Sequence, residues 1–215
     1  KPYLYGEAKI QKDSTLYFSV KTPVYPVESK IRLDIPYYMY EEMGADDPGS
    51  ETDKLEAGAF RNKTIRSDST GEQVYVSFYR FPRYYYSKDS SSLEKDNERS
   101  VFGSDSSWIL RKNKRSEVNG MKVWELQLTD SNSSRMLWGK SFYRDGIGFG
   151  IATMTDTISV PSLFLKSFFE TFTPADTITG VNPFAKKSAV FFADYRNPDS
   201  VTHQRAVNYI DQIDL

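Results

Sequence analysis

The side chains best suited to chemistry in this sequence are aromatic and cationic. The stretch Ser77 to Tyr86, SFYRFPRYYY, sets six aromatic rings and two arginines in ten residues. Planar rings can stack on sugars or on partner side chains, and guanidinium groups can pair with anions or lie over a ring. Tyr79, Arg80, Arg83, Tyr84, Tyr85 and Tyr86 are therefore the candidate surface for a ligand or partner. On a strand, alternation sends Tyr75, Ser77, Tyr79, Phe81 and Arg83 to one side and Val76, Phe78 and Arg80 to the other. Pro82 must end the ladder, bulge it or lie at an edge, so Val76 and Phe78 are expected in the core, with Tyr84 to Tyr86 partly exposed past the break. The commoner outcome for such a run is a set of tyrosines that cover a sheet and keep their hydroxyls in water.

Catalytic alternatives are few. The chain has one histidine, His203, and no cysteine, which excludes multi-histidine and thiolate metal sites; His203 lies in the C-terminal segment far in sequence from the strands, and no Ser-His-Asp arrangement is expected. His203 is expected on a helix surface. Asp46, Asp47, Glu51 and Asp53 could supply a carboxylate pair for glycoside chemistry or oxygen ligands for calcium. They sit in GADDPGSETDK, a run rich in turn formers with no calcium-loop spacing, and a solvated loop is the expected reading. Gly146, Gly148 and Gly150 do not make a dinucleotide fingerprint, because the spacing and the strand-to-helix context are absent. No metal site, no cofactor and no catalytic residue are expected. With 28 basic and 29 acidic residues the net charge is -1, so no chain-wide attraction to nucleic acid is expected, and no apolar run is long enough for direct membrane insertion. Two sequons, at Asn62 and Asn132, fall in stretches expected to be exposed.

The elements that must position these residues are mostly strands. Leu16 to Val20, Lys30 to Tyr40, Ala57 to Arg66 and Gln73 to Tyr86 carry aromatic and β-branched runs interrupted by prolines. Ser87 to Ser107 is a polar block expected to hold one short helix. Asn119-Gly120 and Asp145-Gly146 predict two-residue hairpin turns, because both central positions of a type I′ turn need positive φ. A two-residue turn at Asp145-Gly146 sets Phe142 across from Phe149 and places Ser141, Gly148, Gly150 and Ala152 on the other face. That smooth face is expected to receive a helix over Ser159 to Pro174, SVPSLFLKSFFETFTP, in which Leu165, Phe169 and Phe172 share one stripe.

FSVKTPVYP near the start, NGMKVWELQL, RMLWGKSFYRDGIGFGIATM and the closing SLFLKSFFETFTP together resemble, in content and order, the PsbP-like superfamily over residues 16–174. The resemblance implies an α+β fold, an α/β/α sandwich around a curved antiparallel sheet, and a non-catalytic binding or assembly role; it supplies no catalytic residue. The Ser87 to Ser107 block and the tyrosine-rich strand depart from that pattern.

Two units are expected: an antiparallel-sheet domain over 1–181 and a helical pair over 182–215 that could begin a truncated helical array. In the second helix Ala206, Ile210 and Ile213 form an apolar stripe with Val207 beside it, and Asp199 or Ser200 can cap it. The function expected is a non-enzymatic interaction or assembly module of a larger extracytoplasmic bacterial protein, periplasmic or at the cell surface, with the cytoplasm left open. Its partner would be a protein or a neighbouring domain of the same chain. The alternative is a carbohydrate-binding or carbohydrate-active domain that meets a glycan through exposed tyrosines and carboxylates.

Overall fold

The computed structural model describes residues 7–23, 26–30, 59–88 and 107–210. The expected Lys30 to Tyr40 strand past Lys30, the acidic loop with Asp46, Asp47, Glu51 and Asp53, most of the Ser87 to Ser107 block, and Ile213 lie outside the described residues.

The fold is α+β with antiparallel sheets. Two chain-opening strands, β1 (Lys9–Asp13) and β2 (Phe18–Thr22), form a hairpin. Its turn is held by Asp13, whose Oδ1 accepts from Thr15 N and Leu16 N, each at 2.8 Å. The large sheet contains β3 (Pro26–Glu28), β4 (Ala59–Ser67), β5 (Gln73–Arg80), β6 (Trp108–Val118), β7 (Met121–Asp130), β8 (Arg135–Arg144) and β9 (Ile147–Asp156). Its spatial order is β3-β4-β5-β9-β8-β7-β6, all neighbours antiparallel.

Both hairpin turns form as expected. Asn119 and Gly120 have φ of 51° and 70°, Asp145 and Gly146 of 44° and 76°. These values are the twist-matched turn that asparagine, aspartate and glycine tolerate best. The second turn fixes the register Phe142↔Phe149, and the row extends to Phe78 on β5 and Val123 on β7.

That row is the floor of the main core, and helix α1 (Leu163–Thr171) packs on it. Phe172, one residue past the helix, lies 5.3 Å from Phe142 and 6.4 Å from Phe149, ring centre to ring centre. Phe18 of β2 stacks on Phe172 at 4.9 Å, so the small sheet closes the same core from its far side. Phe164, Leu165, Phe168 and Phe169 are all buried, and each such side chain contributes about 1.5–3 kcal/mol by leaving water. The helix begins at Leu163 and not at Ser159, because the Ser162 hydroxyl accepts from Leu165 N at 3.2 Å and caps it there. Residues ahead of it are held by Asp156, which accepts from Ile158 N and Ser159 N. After the helix, β10 (Thr173–Pro174) pairs with β2 and completes a three-stranded sheet of order β1-β2-β10.

The helix therefore covers the phenylalanine face and not the smooth one. The reverse face of the large sheet carries its own cluster of Tyr75, Leu126, Leu128, Leu137 and Ala152. Over Gly148 lies the ring of Tyr79, in the space that a Cβ would occupy. A neighbouring strand's side chain thus takes the place expected for a helix.

The C-terminal part folds into α2 (Ser188–Tyr195) and α3 (Ser200–Asn208), the latter capped by Asp199, whose Oδ2 accepts from Thr202 N at 2.9 Å. Ala206 is buried, whereas Ile210 is half exposed, so only part of the expected stripe is used within the described residues. Phe191, Ala206 and Tyr84 form a third cluster, with Val190 and Tyr209 against it.

Candidate functional site

The tyrosine-rich strand divides its candidate residues among three tasks. Val76 and Phe78 enter the main core as alternation requires, and Tyr75 and Ser77 are buried as well, because the reverse face of the sheet is also packed there. Past Arg80 the chain leaves the ladder at Pro82: Phe81 N still donates to Gly146 O at 2.8 Å, and Tyr85 N then donates to Pro82 O at 3.1 Å in a turn.

That turn folds the aromatics back on one another. Tyr79 meets Phe81 edge to face at 5.7 Å, and Phe81 stacks on Tyr85 at 4.7 Å with planes 9° apart. Cross-strand register brings Tyr143 into the same row as Gly148 and Tyr79. The Tyr143 hydroxyl accepts from Gly146 N at 3.3 Å. Phe81, Tyr85 and Tyr143 are all partly exposed, so the rings make a ledge at the β5–β9 end of the sheet. Burial pushes the Tyr79 and Tyr143 hydroxyls above the ordinary phenol range, Tyr79 further. The ledge offers hydroxyl groups and ring faces.

Arg83 and Tyr84 serve another task. Arg83 donates from Nε and Nη2 to the Asp194 carboxylate at 2.6 and 3.0 Å, and the Tyr84 hydroxyl donates to the same carboxylate at 2.8 Å. The Tyr84 ring lies between Phe191, at 5.9 Å, and Tyr209, at 5.3 Å. Tyr84, expected to be partly exposed, is 6% exposed, so it is no part of a binding surface. The physical reason is that α2 and α3 need a partner for their apolar seam, and Tyr84 provides it. Arg80 projects to the face opposite Tyr79 by strand alternation, and Tyr86 is half-buried beyond the ledge. Two ledge residues, Phe81 and Tyr143, were absent from the sequence-based set; Tyr143 is legible once the Asp145-Gly146 turn fixes the register.

Several carboxylates of the described residues are drawn to structural tasks. Asp13 pairs with Lys63 at 3.0 Å, and Glu125 accepts from Lys112 at 2.6 Å and from the Trp138 indole at 3.0 Å. Asp130 and Asp156 hold turns, and Asp199 caps a helix. Asp13, Glu125, Asp130, Asp156, Asp194 and Asp199 are all held below the usual carboxylate range; hydrogen bonds from neighbouring donors, with nearby cations at several of them, outweigh burial. Glycoside chemistry needs the opposite, a carboxyl kept protonated. Among the described residues no group of three or more metal-ligating side chains converges, and no helix is long and apolar enough to cross a membrane. His203 lies on α3, partly buried, its Nδ1 against the Tyr195 carbonyl at the end of α2.

No family model and no curated protein matches the sequence. Among solved structures, the chain is similar to cyanobacterial PsbP (CyanoP) from Synechocystis sp. PCC 6803, with 11% identity, 81% of this chain and 96% of that chain covered, and a TM-score of 0.46.

Proposed function

We propose that this protein is a non-catalytic interaction module that meets a protein partner through the aromatic ledge of Tyr79, Phe81, Tyr85 and Tyr143. The observation that carries the reading is the stacked pair Phe81–Tyr85, a pre-assembled, partly exposed aromatic surface backed by the half-buried Tyr79. Rigid aromatics at low entropic cost are the residues that anchor protein interfaces. An extracytoplasmic setting within a larger bacterial protein follows from the motif resemblance over residues 16–174.

A glycan is the second reading, favoured by the same stacked pair, since a sugar's apolar face packs on such rings. The test is a photo-crosslinking residue at position 86, beside the ledge, in cells that make the protein, run alongside a glycan array, each repeated with Tyr85→Ala. A defined protein adduct that disappears in Tyr85→Ala supports the module. Array binding that disappears in the same variant supports the glycan, and neither result removes the ledge from consideration as a binding surface.

A further inference from the structure

The two edges of the large sheet are unlike. One is β3, three residues long and opened by Pro26, a short edge with little backbone to offer. The other is β6, eleven residues long, in which Trp108 and Lys112 are partly exposed and every other residue is exposed. Among the described residues nothing pairs with the outer side of β6. In an antiparallel ladder alternate backbone N–H and C=O groups of an edge strand point away from its neighbour, so β6 presents a row of them outward.

The charge of this edge is one-sided. Arg111, Lys112, Lys114 and Arg115 stand against the single acid Glu117. Cross-strand register puts Lys112 and Lys114 on the α1 face, in line with Gln127 and Glu125, and Arg115 on the reverse face, where its guanidinium lies over the Trp124 ring at 5.6 Å. Lys112 pairs with the Glu125 carboxylate at 2.6 Å. Burial first, and then the charges of Lys112 and Lys114, lower the proton affinity of Lys140 on β8, while Glu125 and Glu170 oppose them.

This pattern selects the occupant. A second copy pairing antiparallel about Asn113 would set Arg111 against Arg115 and Lys112 against Lys114, like charges directly opposed, which is destabilising. An acidic strand reverses each of those pairs. We propose that the outer edge of β6 captures an extended, acidic segment of a partner protein by adding it as an eighth strand to the seven-stranded sheet. Exposed Ile109, Leu110 and Val118 flank the cationic centre and give alternate apolar contacts for the added strand. The inference deepens the interaction-module reading by naming a second surface and its partner's chemistry. It does not depend on the ledge, so Tyr85 variants test one surface and Lys114 variants the other.

The experiment uses the full chain and a fluorescein-labelled peptide of about ten residues alternating glutamate with valine or threonine. Controls are the same peptide with lysine for glutamate, and an equally acidic peptide with proline at alternate positions. Anisotropy gives affinity, and amide hydrogen exchange gives the place of binding. The expected result is binding of the acidic peptide alone, slowed exchange at outward-facing β6 amides, and a loss of about tenfold in affinity for Lys114→Glu. Lys114 is exposed and repels Lys140, so Lys114→Glu should fold; Lys114→Ala, with a smaller loss, guards against the contrary. Equal binding of the proline peptide, or binding with no protection in β6, overturns the proposal and leaves a cationic patch without strand pairing. Failure of the acidic peptide to bind also overturns it, and makes the β6 charge a guard against edge-to-edge aggregation.

Discussion

Arg83 holds Asp194 with two parallel hydrogen bonds, Nε to Oδ2 at 2.6 Å and Nη2 to Oδ1 at 3.0 Å, across 111 residues of sequence. The bidentate pair, with Tyr84 on the same carboxylate, fastens α2 to the turn that follows β5. Asp194→Ala strands the Tyr84 hydroxyl and half of the guanidinium, and should cost about 1–3 kcal/mol. Thermal melts give the cost, and exchange in residues 188–208 should accelerate while exchange in β7–β9 does not. Uniform acceleration would show that the helical pair is inseparable from the sheet.

The same contact predicts an acid limb of stability. Arg83 is the largest cause that holds the Asp194 carboxyl below its ordinary range, and it outweighs burial. A depressed folded-state pKa contributes stability that is complete above the unfolded value and is lost as pH falls through the folded one. Docking of α2 should therefore weaken on acidification below the ordinary carboxylate range. Asp194→Asn should flatten that limb, measured as the pH dependence of exchange in α2. An alkaline limb should mirror it, since burial pushes Tyr84 up to about 12 and its stabilisation fades as pH rises through that value.

Deletion of residues 182–215 should leave a domain that still melts cooperatively. Among the described residues the main core draws on Leu16 to Phe172, with Ile178 packed against it, and on none beyond 182. The deletion uncovers Tyr84 and removes the Pro183 carbonyl that accepts from Ser87 N. A truncated chain without a cooperative transition would make the pair integral to the fold.

Gly148→Ala should destabilise by about 1–3 kcal/mol, because its methyl group enters the space of the Tyr79 ring. Adding Tyr79→Ala should make the glycine substitution far less costly, a coupling that a double-mutant cycle reads directly. Additive costs would place the Gly148 strain elsewhere.

Gly120 and Gly146 share nearly the same positive φ, yet they should respond differently to alanine. A Cβ at Gly120 meets nothing within 4 Å, so Gly120→Ala should cost about 1–2 kcal/mol of backbone strain alone. A Cβ at Gly146 would overlap the Val181 carbonyl, so Gly146→Ala should cost more and loosen the 178–183 segment. Equal losses in denaturant titrations would refute that close approach.

The hairpins were legible because Asn119-Gly120 and Asp145-Gly146 state their backbone requirement locally, and the Phe142–Phe149 pairing follows from them by counting. The face that α1 covers was not legible. Three glycine or alanine positions in a row suggest room for a helix, but the room at Gly148 is filled by Tyr79 from the adjacent strand, and alternation cannot say how a long side chain leans. The helix start slipped by four residues because Ser159 and Ser162 are both good caps and only the fold chooses between them. The candidate surface split for a similar reason. Arg83 and Tyr84 look like ligand-binding residues until Asp194 arrives from far along the chain, and nothing near residue 84 announces it.

The pairing of β10 with β2, Thr173 against Ser19, has a consequence for how the molecule comes into being. The β1–β2 hairpin is synthesised before the rest of this core, but Phe18 cannot be covered by Phe168 and Phe172 until those residues have been made about 150 residues later. At roughly 5–20 residues per second, the opening hairpin spends several seconds or more with its apolar side bare. Final closure of the core is thus a late, long-range step set by chain delivery and not by local propensity. FSV, which emerges well before the helix that covers it, would give a nascent-chain chaperone a natural foothold.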